Sequence, residues 1–291
     1  MDEKWAIQKV TEIATFAQGF QVIFEQNKAP YPNLESDWLQ GLQFYLHGYA
    51  YERQGRSPEY SAAALKAVEQ SVLPGSHKPD SEFPRRVWAA FLRILKLKSN
   101  VGANPTMNPL YPNTSSGKES VTSLILKLDD FNLITRILTF IEKGEVEWAH
   151  RFLCQIRGTG NKINSLFLRD IILMYDLPVS HDHVFLQPVG IWVRRLVRLL
   201  MGFPADVPKG GDAYSNDTKI AETIVDLSHK ASVSPLKVNQ GAWYFGSQIA
   251  GTKTRLIQYI EDKLYPRDAI NQKILSLEEQ ISALRSLTNK F

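Results

Sequence analysis

CQIRGTGNKINSLFLRD, residues 154–170, is the stretch on which the reading of the whole chain turns. Two glycines bracket Thr159, Lys162 follows Gly160 by two positions, and an apolar helical pattern begins at once. Upstream, Val146, Phe152, Leu153 and Ile156 share one side of a helix expected over 145–156. Downstream, Ile163, Leu166, Phe167, Ile171 and Met174 share one side of a helix expected over 162–175. Two amphipathic helices therefore meet through Arg157-Gly158-Thr159-Gly160-Asn161. Glycine there permits positive φ and a close backbone approach. The first amides of the second helix lack intrahelical acceptors and lie at the positive end of its dipole, where a phosphate satisfies them. A helix C-cap glycine followed by a tight turn accounts for the same residues with no ligand at all.

Outward from the hairpin, the 3.6-residue period recurs along nearly the whole chain and no convincing strand alternation is found, so the expected fold class is all-α. Helices are expected at about 3–26, 36–54, 60–71, 82–98, 119–127, 130–142, 145–156, 162–175, 190–201, 217–230, 234–248, 252–263 and 266–288. Two stretches break the pattern. Residues 99–120, rich in Asn, Pro, Gly and Ser, read as a long connection and the boundary between two lobes; residues 202–217 lead into the C-terminal helices. The expected organisation is an N-terminal helical region (1–98), an irregular connection (99–118), a hairpin region (119–201), C-terminal helices completing the lobe (202–265) and a last amphipathic helix (266–291). In that last helix Ile270, Ile274, Leu277, Ile281 and Leu284 recur at alternating intervals of four and three, a short seam that either packs on its own chain or supports weak self-association.

Composition narrows the function. With 291 residues and 44% hydrophobic content the chain buries a substantial core. No apolar run reaches the roughly 20 residues of a membrane span, and the acidic start MDEKW lacks the features of a signal peptide, so an intracellular, cytoplasmic protein with no membrane partner is expected. A single cysteine, Cys154, excludes an internal disulfide and any four-cysteine cluster within one chain. The net charge of +4 is a mild bias toward polyanions. Its distribution says more: between 151 and 200 stand Arg151, Arg157, Lys162, Arg169, Arg194, Arg195 and Arg198 against Asp170, Asp176 and Asp182.

Downstream comes LQPVGIWVRRLVRLL, residues 186–200, an apolar extended segment, a Pro188-Val189 dipeptide and a helix with paired arginines. Ile156-Arg157-Gly158-Thr159-Gly160-Asn161-Lys162, followed by Pro188-Val189-Gly190-Ile191-Trp192-Val193-Arg194, resembles the two linked motifs of the helix-hairpin-helix DNA glycosylases of base excision repair. In the branch that also cleaves the backbone, that family has an apolar residue, Gly-x-Gly-x-Lys and a helix, then Pro/Ala-Val-Asp and a helix of the type Thr-His-Val-x-Arg. The likeness is strong over 146–200, moderate over 119–145 and 217–262, and weak before 99.

The resemblance implies a two-lobed all-α fold that grips double-stranded DNA near the hairpin, through Arg157, Gly158, Thr159, Gly160, Asn161 and Arg194, with no cofactor. It implies base removal from a flipped nucleotide: Lys162, as a neutral amine, attacks the sugar C1′, expels the base and leaves a Schiff base that proceeds to strand cleavage. The 8-oxoguanine enzymes are the nearest analogue.

One position departs from the family. Its carboxylate, which steadies the developing positive charge on the sugar, falls on Gly190. Three readings stay open: Asp182, flanked by His181 and His183, substitutes for it; Lys162 acts without an acid on abasic sites or easily lost bases; or the protein binds DNA without cutting it. The His-x-His pair is by itself a weak metal signal, and no metal is expected. Trp243 with Asn239 and Gln240 supply the stacking and edge-bonding groups that a flipped base requires, although such aromatics equally fill a core. Arg53 and Arg56 suit the end of a helix dipole, and residues 85–98 read as a helix with a solvated basic face. A helical scaffold associating through the C-terminal seam is the remaining alternative.

Overall fold

Residues 3–51, 57–97, 104–113, 117–181 and 183–288 are described by the structure, a computed structural model. Arg53, Arg56 and Asp182 lie outside the described residues.

The protein is all-α. The helices are α1 (Glu3–Thr15), α2 (Ala17–Lys28), α3 (Trp38–Gly48), α4 (Ser57–Ser71), α5 (Phe83–Ile94), α6 (Val121–Ile125), α7 (Leu133–Glu142), α8 (Val146–Leu153), α9 (Asn161–Met174), α10 (Ile191–Leu200), α11 (Asp217–Lys230), α12 (Pro235–Tyr244), α13 (Lys253–Ile260) and α14 (Pro266–Thr288). A 3₁₀ turn occupies His183–Leu186 and a π-turn Phe245–Ala250. Many starts are set by side-chain caps: Asp37, Ser120, Asn132, Asn216 and Thr252 each accept a first-turn amide of the helix that follows.

The chain forms two compact units, one of residues 1–22 and 189–291, the other of residues 23–188. The division falls away from 99–118, which lies within the second unit. Its described residues 104–113 are pinned at Asn108, which is fully buried and whose Oδ1 accepts from Tyr51 Oη at 3.1 Å and from the Leu110 amide at 3.0 Å. Tyr111 meets Trp88 edge-on at 5.1 Å. At Asn108 and Leu110 a stretch without helical period contributes to a core.

In the second unit α9 meets aromatic rings from the end of α3 and its C-cap. Phe167 is fully buried, with the rings of Tyr45 and Tyr49 at 5.0 and 4.9 Å. Arg169 and Asp170 are buried as a pair, Nε and Nη2 donating to Oδ1 at 2.9 and 2.8 Å, while Tyr49 Oη donates to Oδ2 at 3.2 Å. A charge this deep is tolerated because it is both paired and hydrogen-bonded.

In the first unit α12 is surrounded by α1, α10 and α11. Its contact with α1 is backbone on backbone: a Cβ added at Gly241 falls 1.9 Å from the Ile13 carbonyl oxygen. At Gly19 the added Cβ meets the Tyr244 ring at 2.3 Å. The helix expected over 3–26 breaks between these two close approaches, at Phe16, whose amide bonds back three residues to Ile13. Phe16 then packs on Phe245 at 4.8 Å, and Tyr259 packs on Phe245 at 4.4 Å. The helix expected over 234–248 likewise ends at Tyr244 and widens into the π-turn, with Gly246 against the Trp192 side chain and Gly251 closing it at φ 67°.

Candidate nucleic-acid interface

The hairpin is built by α8, the turn 154–160 and α9. Gly158 adopts φ +76°, the left-handed conformation that favours glycine. Gly160 precedes α9 as its N-cap and contributes no side-chain cap. Asn161 is exposed and Lys162, in the first turn, is half-buried.

The turn is braced by Asn113, Lys118 and Glu119. The Glu119 amide donates to the Gln155 carbonyl at 3.0 Å, and the Arg157 amide returns to the Glu119 carbonyl at 2.8 Å, an isolated parallel bridge. Lys118 Nζ donates to the Cys154 carbonyl. Arg157 itself points inward: it is 4% exposed, its Nη2 donates to the carbonyls of Asn113 and Lys118, and its guanidinium lies over the Tyr111 ring at 5.4 Å. Thr159 is also buried, its hydroxyl donating to the Ile156 carbonyl at 3.0 Å. These two residues, expected on DNA, hold the turn in shape instead. Carbonyls left over by the irregular segment are the acceptors that draw Arg157 in.

The basic excess of 151–200 is largely committed within the molecule. Arg151 pairs with Glu147 at 2.6 Å, Arg169 with Asp170, Arg194 with Asp217, and Arg195 with Asp206 at 2.8 Å. Arg198 is fully buried and makes a two-pronged bond to Asp212 at 2.7 Å on each arm, with further bonds to the carbonyls of Pro204, Asp206 and Tyr214. It organises the 202–217 stretch. The same guanidinium holds the Asp212 carboxyl at about 2, below the usual carboxylate range.

Arg194, Trp243, Asn239 and Gln240 belong to the first unit, the hairpin to the second. Trp243 is half-buried and edge-on to Phe20 at 5.6 Å. Asn239 and Gln240 are buried, at 0% and 3% exposure, because α12 is enclosed by neighbouring helices; neither presents its amide to solvent as a base pocket requires. Gly190 precedes α10 with φ −92° and ψ 177°, extended backbone open to any residue, and contributes no side-chain cap. His181 Nε2 donates to the Gly144 carbonyl at 3.1 Å and His183 Nε2 to the Val179 carbonyl at 2.9 Å, so both rings serve the loop. Among the described residues no three ligating side chains come together.

Sequence reasoning missed a group behind the turn. The Cys154 thiol lies 3.8 Å from His150 Nδ1, and Asn164 Nδ2, fully buried on α9, donates to its sulfur at 3.0 Å. Burial pushes the His150 pKa down from 6.5, opposed by its hydrogen bond to the Asn161 backbone and by Glu147. The i,i+4 spacing of His150 and Cys154 on one helix was the available signal. Two clefts, of about 320 Å³ beside Leu200, Tyr214 and Asp226 and about 360 Å³ beside His47, Tyr51 and Leu65, are lined by none of the sequence-predicted site residues.

No family model matches the chain, and no solved structure matches it. It is similar to an uncharacterized protein of Methanocaldococcus jannaschii, 24% identical over an alignment of 269 positions that covers 76% of this chain and 61% of that protein. The chain thus spans about three fifths of the length of the curated relative it matches.

Proposed function

We propose that the chain is a DNA base-excision protein of the helix-hairpin-helix glycosylase kind, with Lys162 as the Schiff-base nucleophile. The observation that carries the reading is the hairpin: two amphipathic helices joined through a left-handed Gly158, with Gly160 at the helix start and Lys162 in the first turn. A helix start of this form suits a phosphate, and a lysine beside it is placed near the sugar that phosphate carries. The all-α architecture in two compact units is compatible with the two-lobed fold of that family.

In the reaction, the Nζ lone pair of neutral Lys162 forms a bond to C1′ as the C1′–N bond to the base breaks, and the base departs with the electron pair and takes up a proton. The attached nitrogen then loses a proton, its lone pair expels O4′ from C1′, and O4′ takes up a proton as the sugar ring opens. The resulting iminium is the species from which strand cleavage follows. Asp170 is no substitute for the acid that Gly190 lacks. It sits two turns along α9, about 12 Å of axial rise from Lys162, and is neutralised by Arg169. Asp182 remains the carboxylate to test.

A second reading is favoured by Gly190, which supplies no carboxylate: a DNA-binding protein that does not cut. Borohydride trapping on duplexes carrying an abasic site, 8-oxoguanine or uracil separates the two. A covalent adduct, lost in Lys162→Ala, is the expected result; DNA binding with no adduct on any duplex sinks the lysine chemistry and leaves the binding reading.

A further inference from the structure

α14 carries a pattern that the rest of the fold leaves unused. The helix is anchored at its start, where Ala269 is fully buried and Arg255 Nη2 donates to Gln272 Oε1 at 2.9 Å. Beyond that, Ile274, Leu277 and Ile281 are 46%, 42% and 49% exposed, and Leu275 also lies open. Several large aliphatic side chains in water on one 23-residue helix form a patch of the kind that marks an interaction surface.

The identity of the partner follows from the register. Intervals of four, three, four and three place Ile274 and Ile281 at a positions of a heptad, and Ile270, Leu277 and Leu284 at d positions. Isoleucine at a with leucine at d is the combination that favours two parallel strands. The flanking charges agree. Lys273 is then a g position and Glu278 the following e position, so two copies in parallel register set each lysine against the other copy's glutamate, twice. Gln280 and Arg285 fill the next such pair without conflict. Antiparallel pairings of a layers with d layers each lose a layer. The one centred at Glu279 sets Ile270 against Thr288 and brings Glu278 opposite its own copy, a like-charge contact, and the one centred between Leu275 and Ser276 sets Leu284 against Arg267. The adjacent acids Glu278 and Glu279 also disfavour an anionic lipid surface.

We propose that two copies of this chain associate through α14 as a parallel, in-register, two-stranded coiled coil. The seam has five layers, so the dimer is weak and forms by mass action.

Sedimentation equilibrium of the full chain over about a hundredfold range of concentration tests it. The expected result is a monomer–dimer equilibrium whose dissociation constant rises by at least about tenfold in Ile281→Lys, with the helical circular dichroism unchanged. Lys273→Glu weakens the dimer, and adding Glu278→Lys to it restores the association. In a Cys154→Ser background, Leu284→Cys cross-links to its counterpart under mild oxidation when the helices run parallel; antiparallel, the two positions lie about 15 Å apart along the axis. A monomer at every concentration overturns the proposal, as does a dimer indifferent to Ile281→Lys. A dimer that persists while Leu284→Cys fails to cross-link overturns the parallel arrangement.

Discussion

Arg157 shows how a residue read for one role serves another. An arginine beside a glycine hairpin suggests a phosphate contact, yet the structure turns its guanidinium inward to the carbonyls of Asn113 and Lys118. The hairpin's glycines and Lys162 were legible in the sequence because their spacing is local. The inward turn was not, because its acceptors stand about 40 residues upstream in a segment with no period. His150 yields a prediction at this scale. Its pKa in the folded protein is depressed by burial, so as pH falls below about 6.5 the unfolded chain takes up the proton first and folding loses stability. Glu147 opposes this loss and does not reverse it. Thermal unfolding midpoints should therefore drop between about pH 7.5 and pH 5.5. His150→Gln should flatten that slope; an unchanged slope means that the imidazole is not its source.

Among the elements, α10 begins without a side-chain cap on a residue whose backbone does not need to be glycine. Gly190→Asp should cap it and raise stability by about a few tenths of a kcal/mol, seen as a small rise in unfolding temperature. On the proposed glycosylase reading, the same variant introduces the carboxylate that the helix-hairpin-helix glycosylases carry at this position, so turnover on lesion duplexes should rise with it. A rise in stability with no turnover separates capping from catalysis. Most element positions were readable from the 3.6-residue period and from caps such as Asn132, which also donates Nδ2 to the Leu34 and Glu35 carbonyls. The break at Phe16 and the π-turn after Tyr244 were not. The first lies beside the backbone contact of Gly241 with Ile13 and the second where the Trp192 side chain presses on Gly246, and such closeness leaves no periodic trace in either segment alone.

For the whole molecule, the division at 22/23 and 188/189 joins the first residues of the chain to its last hundred. No local signal announces this, since it depends on α1 meeting α12 across more than 200 residues. Gly241→Ala tests the junction. A methyl at 1.9 Å from the Ile13 carbonyl oxygen forces the two helices apart, at a cost of about 1–3 kcal/mol. Hydrogen exchange should then accelerate in residues 3–15 and in α11 to α13, while α3 to α9 keep their protection. Uniform acceleration across both sets means that the chain unfolds as one body.

That junction also sets an order of events on the ribosome. Residues 23–188 emerge as one continuous block and can fold as they appear, whereas α1, made before them, waits until α12 has been translated. For most of synthesis its apolar side, with Val10 and Ile13, has no surface to dock on. Although α1 is translated ahead of α2 to α9, it is thus among the last of these helices to find its place, its apolar side uncovered while they fold.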